Sequence, residues 1–453
     1  MPSTMKTLSR LQEIVGEANL IKDRDRLKAY KLDGKTPKVV VSPATVDETS
    51  RVVAYAYEKG LALVPRGNGT KMKMGGIPKR VDILLSTTRL NRITDKDCDN
   101  LTLCVESGIT LDEVQKTLAR EGRGYFLPLD PPFSDKATLG GIVATNASGP
   151  KRLLYGTARD LITGMKTVFP NGDVVVSGGK TVKNVSGYDM CKLLIGSFGT
   201  LGIICEMTFR LLPLPEKEAT LLLSFQKLEQ ADGFVREIIS SQLIPASIET
   251  LNRPALDYLK RQIPLSTDGN YLVAIGLEGV REGVERQMAE IGERGKRYGC
   301  VNAEAMDGEE GEAFWKALRD FSIWSDPDLI SLKSNFFLSK HGEMIASYER
   351  MTAESGVRSA LICHSGNGIL YSHLLTAKVS RSKAEVLAGL IQKMTLEAVK
   401  NGGNLIVESA PSSLKKRIDV WGEARSDLRI MQRIKEEMDP RRILNPGRFV
   451  GGI

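Results

Sequence analysis

An α+β fold in more than one domain is predicted by three features of this sequence. Its 453 residues exceed what one hydrophobic core ordinarily serves. Short strand patterns and helix patterns alternate along the chain, as in "KVVVSPATVDETSRVVAYAYEKGLALVPRGNGT". A break at "RLLPLPEKEAT", with Pro213 and Pro215 ahead of charge, separates two halves and reads as a linker.

Each element follows in order. The first ~35 residues read as helical, starting with a capped amphipathic stretch. "KVVV" is a strand, the segment after Thr45 a capped helix, and "LALVPR" a second strand. "VDILLSTTRLNRI" and "DNLTLCVESGIT" give two more strands, and "LDEVQKTLAREG" a helix after Thr110. "MKTVFPNGDVVVSGG" predicts a hairpin turning at Asn171–Gly172. Beyond the linker, strand–helix units of similar length repeat, which predicts a ferredoxin-like second domain. The last helix places Leu428, Met431, Ile434 and Met438 on one face.

Composition excludes several classes. Hydrophobic residues make up 42% and charged residues 26%, ordinary globular values. The net charge of +8 is spread along the chain with acids interleaved and no basic run with stacking aromatics, so no nucleic-acid partner is expected. No apolar run approaches the ~18 residues of a membrane helix, and the N-terminus lacks an apolar signal core. A cytoplasmic protein is expected, with any membrane association made through a partner. The six cysteines (Cys98, Cys104, Cys191, Cys205, Cys300 and Cys363) include no C-x-x-C pair, so no iron–sulfur or zinc knuckle is expected in this chain.

Three glycine-rich segments stand out: "PRGNGT" at 65–70, "TLGGIVATNASGP" at 138–150 and "GSFGTLGII" at 196–204. Glycine lets main chain approach a ligand, and successive N–H groups in such turns bind anions. Neither a P-loop nor a Rossmann G-x-G-x-x-G fingerprint is present. Clusters spread over ~140 residues suit an extended ligand carrying a pyrophosphate.

These segments, together with "YGTARDLITGMKTVFPNGDVV", "VKNVSGYDMCKLL" and the terminal "ILNPGRF", resemble the FAD-binding oxidoreductases of the vanillyl-alcohol oxidase (PCMH-type) superfamily. Within it the sequence is most similar to the glycolate oxidase and D-lactate dehydrogenase branch, and to a glycolate oxidase FAD-binding subunit. The resemblance implies an N-terminal helical segment (1–35), a PCMH-type FAD-binding domain of two α+β subdomains (36–215), an α+β substrate or cap domain (216–430) and a C-terminal segment (431–453) returning to the FAD domain. It also implies roles. Pro65, Arg66, Gly67, Asn68, Gly69 and Thr70 would hold the pyrophosphate. Thr138, Leu139, Gly140, Gly141, Thr145, Asn146 and Gly149 would run beside the flavin and ribityl chain, with Tyr155, Gly156 and Arg159 on the same wall. Gly199, Gly202 and Ile203 would lie toward the adenine, and Asn445 would return from the tail. The only histidines are His341, His364 and His373, all beyond this domain, so FAD is expected to be non-covalent.

Relatives in this branch carry a metal motif like H-x-G-D-G-N-x-H and a later E-H-G. Here the first reads "CHSGNGILYSHLL", with His364 in the first ligand place and Tyr371 in the second; His373 follows two residues on, on the same face of a strand. The second reads "VESAP", with Glu408 in place and Ser409 where the histidine would stand. One His and one Glu remain of three ligands, and no metal is expected. The substrate carboxylate would meet Arg319 and Lys333, and His364 or His373 would take the hydroxyl proton. The resemblance thus implies either a 2-hydroxy-acid dehydrogenase in its own right, or a flavin-bearing subunit working with an iron–sulfur protein and a second flavoprotein. A nicotinamide-dependent enolpyruvyl-sugar reductase on the same fold is the third reading.

Overall fold

In a computed structural model the described residues are 2–97, 99–122, 124–179, 188–321, 329–376, 379–422 and 426–453. Cys98, most of the "VKNVSGYDM" motif and the "SIWSDPD" run lie outside them. The chain divides into two compact units. One comprises Met1–Ser148, Thr157–Leu214 and Ala424–Ile453; the other comprises Gly149–Gly156 and Pro215–Glu423.

The first unit opens with α1 (Pro2–Val15), β1 (Leu20–Ile21), α2 (Arg24–Lys28), β2 (Val39–Val41), α3 (Val46–Lys59), β3 (Leu63–Arg66) and β4 (Ile83–Ser86). The strands order β1-β2-β4-β3, with β2, β4 and β3 parallel. The expected helical start is therefore interrupted by β1, which pairs antiparallel with β2. Thr45 caps α3, its side chain accepting from the Glu48 N–H.

Next come β5 (Ile93–Asp97), β6 (Thr102–Glu106), α4 (Leu111–Arg120), β7 (Tyr125–Phe126), α5 (Leu139–Thr145), α6 (Arg152–Tyr155, which falls in the second unit), α7 (Ala158–Leu161), β8 (Ile162–Val168), β9 (Val174–Gly178), α8 (Met190–Leu194), β10 (Ile203–Arg210) and β11 (Leu212–Pro213). Five of them form an antiparallel sheet, β5-β6-β10-β8-β9, and β7 pairs with β11. Thr110 and Glu113 make the capping box that starts α4. The β8–β9 hairpin turns on three residues. Phe169 and Asp173 close it, Gly172 N–H donates to Phe169 O, and Gly172 sits at φ +95°. Asn171 is thus the last residue of an ordinary turn and Gly172 the left-handed one, so the loop is one residue longer than a two-residue Asn-Gly turn.

The second unit is an eight-stranded antiparallel sheet. Its elements are β12 (Lys217–Phe225), α9 (Leu228–Ser240), β13 (Ser247–Asn252), α10 (Arg253–Leu259), β14 (Tyr271–Gly279), α11 (Arg281–Arg297), β15 (Asn302–Met306), α12 (Gly308–Arg319), β16 (Ile330–Asn335), α13 (His341–Glu354), β17 (Arg358–His364), β18 (Ile369–Leu375), α14 (Arg381–Lys400), β19 (Asn404–Ser409) and α15 (Ser412–Lys415). The order is β15-β12-β14-β13-β17-β18-β16-β19. Each half has its strands in the spatial order fourth, first, third, second. The expected ferredoxin-like unit therefore occurs twice, and the halves join where β13 pairs with β17. On one face Leu221, Leu223, Val273 and Ile275 pack in a core with α9 and α11, while Leu361, Cys363, Leu370 and Leu374 pack with α13 and α14. On the opposite face Leu222, Leu272, Ala274 and Ile362 pack with α10 and α12.

α16 (Leu428–Met438) belongs to the first unit. Its apolar stripe is only half-buried, whereas Lys435 is 2% exposed. The amine donates to Asp439 and to the carbonyls of Thr200 and Leu444, which is what makes burial of an ammonium tolerable.

Candidate active site

In the first unit, β3 runs straight into the turn Gly67–Thr70. The Asn68 amide donates to Lys136 O at 2.9 Å, tying the turn to the segment ahead of α5. Arg66 lies 4.8 Å over the Tyr30 ring. α5 starts at Thr138, whose hydroxyl accepts from the Gly141 N–H. Phe198 and Gly199 follow each other in left-handed backbone, φ +59° and +66°. Asn445, at φ +48°, donates its amide to Phe198 O at 2.6 Å and its N–H to Leu63 O at 2.8 Å.

These four stretches line one cleft. Its wall includes Pro65–Thr70, Thr138, Gly140, Gly141, Thr145, Gly199, Gly202, Ile203 and Asn445, all singled out in the sequence. The glycines are required by close packing of one stretch on another. A Cβ on Gly67 would sit 2.1 Å from Thr138 Oγ1, one on Gly199 2.6 Å from Pro65 Cγ, and one on Gly140 2.6 Å from Ser107 Cβ. Glycine here lets the segments stack into a cradle.

Leu139, Asn146, Gly149, Tyr155, Gly156 and Arg159 are not in that wall. Leu139 faces the core. Asn146 is the left-handed residue ending α5. Gly149, Tyr155 and Gly156 belong to the second unit, where the Tyr155 hydroxyl donates to Glu278 at 2.5 Å and Lys151 pairs with the same carboxylate. Arg159 donates to Lys192 O at 2.7 Å.

Sequence reasoning missed Ser107, Phe198 and Arg448 in the wall. Ser107 offers a signal in retrospect: Ser107–Gly108 follows a strand, like Arg66–Gly67. Arg448 is 2% exposed, with Nη2 donating to Met72 O and Met74 O and the guanidinium 4.9 Å over the Phe198 ring. Burial lowers its pKa only to about 10, so it stays a cation.

In the second unit, the register gathers the other candidates. Glu249 on β13 stands opposite His364 on β17; Lys333 on β16 opposite Tyr371 on β18; Ser331 opposite His373. Residues opposite one another share a face, and so do residues two apart on a strand. His364 Nδ1 is 2.6 Å from Glu249 Oε1, and His373 Nδ1 is 3.0 Å from Ser331 Oγ. The Tyr371 ring meets His364 edge-on at 5.0 Å and is nearly parallel to His373 at 6.4 Å. Lys333 Nζ lies 5.5 Å from the Tyr371 ring centre. Glu408 occupies the bulge of β19 opposite Ser331 and Leu332. Arg319 ends α12, with its buried Nε lacking a hydrogen-bond partner among the described residues.

His364 is 5% exposed. Burial, followed by the positive charges of Lys333 and Arg152, pushes its pKa down to about 3, with Glu408 opposing. It is a neutral imidazole beside cations. The donor set does not fit the three-ligand metal motif. Tyr371 stands in the second ligand place, Glu249 occupies His364 Nδ1, and no three His, Cys, Asp or Glu side chains converge among the described residues.

The glycine-lined cleft suits a long phosphate-bearing cofactor, and the second unit by itself presents a basic sheet face with a neutral imidazole. Residues 37–178 match the model for an FAD binding domain, and residues 214–449 match that for the C-terminal domain of FAD linked oxidases. The chain belongs to the FAD-linked oxidase family. It is 32% identical over 425 residues to glycolate oxidase subunit GlcD of Bacillus subtilis (strain 168), covering 91% of this chain and 89% of that one. It is 27% identical over 478 residues to a D-lactate dehydrogenase of Anaerostipes hadrus, covering 98% and 97%. Among solved structures it resembles p-cresol methylhydroxylase with substrate bound, with a TM-score of 0.79, 17% identity and coverage of 99% and 97%, a likeness of fold alone.

FAD is the cofactor of this oxidoreductase. The cleft suits it: stacked glycine turns keep side chains out, and the buried Ser107 hydroxyl in the wall has no hydrogen-bond partner among the described residues. No helix among the described residues is long and apolar enough to cross a membrane.

Proposed function

We propose that this chain oxidises a 2-hydroxy acid using non-covalent FAD, as the flavin-bearing subunit of a cytoplasmic complex that passes the electrons to an iron–sulfur protein, with a second flavoprotein as a further partner. The observation that carries the reading is the strand register that gathers His364, Tyr371, His373 and Lys333 on one face of the sheet. A 2-hydroxy acid needs a base for its hydroxyl and a cation for its carboxylate.

Bound FAD supplies a two-electron acceptor. The turn Arg66–Thr70 would hold the pyrophosphate through main-chain N–H groups, with Arg448 adding the positive charge of that wall. Lys333, with Arg319 and Arg152, would take the carboxylate. His364 would accept the hydroxyl proton while the α-hydrogen leaves as hydride. His373, hydrogen-bonded to Ser331, and the Tyr371 ring between the two imidazoles would fix the remaining side of the pocket.

Similarity to a glycolate oxidase subunit over 91% of the chain supports the complex, as does a sequence without paired cysteines for a cluster of its own. The test is purification from the source cell under mild conditions, with native mass and identification of associated chains. An iron–sulfur protein in stable stoichiometry is the expected result. A homogeneous species of this chain alone, active on D-lactate or glycolate with an artificial acceptor, would replace it by a stand-alone dehydrogenase. The similarity to a D-lactate dehydrogenase over 98% of the chain favours that second reading.

A further inference from the structure

We infer that Glu249 is the positioning residue for His364, holding its imidazole with Nδ1 inward and Nε2 as the proton-accepting atom; this rests on the role given to His364 above. Glu249 is fully buried in the middle of the sheet. A carboxylate in such a place is costly unless it is hydrogen-bonded. Its Oε1 lies 2.6 Å from His364 Nδ1, directly across the β13–β17 pairing. We take Glu249 Oε1 as the acceptor of this bond, so that Nδ1 carries the hydrogen and Nε2 keeps the lone pair. Among the described residues His364 Nε2 has no hydrogen-bond partner.

The reverse side of the same two strands keeps the pair in register. Thr250 and Ser365 are the next residues along, and their hydroxyls meet at 2.8 Å. Both reach His341 Nε2, at 3.2 Å and 3.0 Å, and His341 Nδ1 lies 2.9 Å from Asp232 Oδ1. Asp232 is on α9 of the first repeat and His341 on α13 of the second. The joint between the repeats is therefore pinned on both faces, and a slip of one residue would break both pairings at once.

In the reaction the substrate O–H bond breaks and its proton bonds to Nε2. The α-hydrogen would leave with its electron pair, for which bound FAD would supply the acceptor, and a 2-oxo acid would result. Glu249 keeps its bond to Nδ1 and holds the ring in place while Nε2 takes the proton.

The test uses holoprotein labelled with 15N-histidine. Three histidines give few signals, assigned by their loss in His364→Gln and His373→Gln. In the wild type His364 should show a protonated Nδ1 and an unprotonated Nε2. Glu249→Gln should keep its flavin content and lower kcat for D-lactate or glycolate by roughly 100-fold with KM little changed, since a positioned base contributes on that scale. Glu249→Asp should recover part of the loss. A hydrogen on Nε2 of wild-type His364 would overturn the inference, whatever the variants do. So would a flavin-replete Glu249→Gln with wild-type kcat. If His364→Gln oxidises the substrate normally, the role of His364 itself has failed, a result the tautomer measurement leaves separate.

Discussion

The two units build their sites from opposite materials. In the cleft of the first unit the work is done by absence: Gly67, Gly140 and Gly199 lack the Cβ that would strike Thr138, Ser107 and Pro65. On the sheet of the second unit it is done by charge and ring placement, with Glu249, His364, Tyr371, His373 and Lys333 delivered by the register of four different strands. On the proposed function, the difference separates binding from chemistry. Backbone shape suits a cofactor that must be held whole, and side chains suit a substrate that must be deprotonated. Substitutions in one unit should therefore leave the other unit's property intact.

The largest expected effect is in the cleft. Gly67→Leu should remove FAD altogether, read as flavin absorbance per protein in a preparation that still folds by circular dichroism. Full flavin occupancy would break the assignment of the Arg66–Thr70 turn. Wild-type flavin should be released into the supernatant on acid precipitation; flavin that stays with the pellet would contradict non-covalent attachment.

Next in size is His364→Gln, which should keep its FAD and lose roughly 100-fold or more in substrate-driven flavin reduction. A parallel loss of flavin would erase the division of labour between the units.

Third is Lys435→Met. It leaves Asp439 as an uncompensated charge in a buried position, and breaking such a pair costs about 3–5 kcal/mol. Urea unfolding of the holoprotein measures it. A change below about 1 kcal/mol would mean that Asp439 is satisfied by the Ile443 and Leu444 N–H groups alone.

The smallest effect is in pH. His364 is held neutral far below its ordinary pKa of about 6.5. The unfolded chain takes up a proton there between about pH 6.5 and 3 while the folded chain does not, so stability falls as pH falls through that window. The fall should be shallower in His364→Gln. Equal slopes would show that the imidazole titrates normally in the fold.

The first unit's site was far more legible in the sequence than the second's. Glycine runs are local signals, and three of them marked three of the four stretches around the cleft. Only Asn445 stood for the fourth, because the tail's role comes from long-range bonds such as Arg448 to Met72 O and Met74 O. His364, Lys333 and Glu408 were visible as relics of a motif, but Glu249 was not. One charged residue inside the "SIETLN" strand says nothing of its partner 115 positions away. The doubling of the ferredoxin-like repeat was hidden for the same reason, since the β13–β17 pairing that joins the halves is non-local. Lys435 shows the limit of periodicity: its burial depends on the carbonyls of Thr200 and Leu444, brought by other segments, together with Asp439 one turn on, which no amphipathic pattern encodes.

The central claim is that this chain's FAD is reduced by a 2-hydroxy acid, with His364 as the base. Anaerobic addition of D-lactate or glycolate to purified wild type and His364→Gln, side by side, tests it most directly. The account predicts that the wild-type flavin bleaches while His364→Gln stays yellow with the same flavin content. Bleaching of both at the same rate, or a wild type that stays oxidised with either acid, would contradict it.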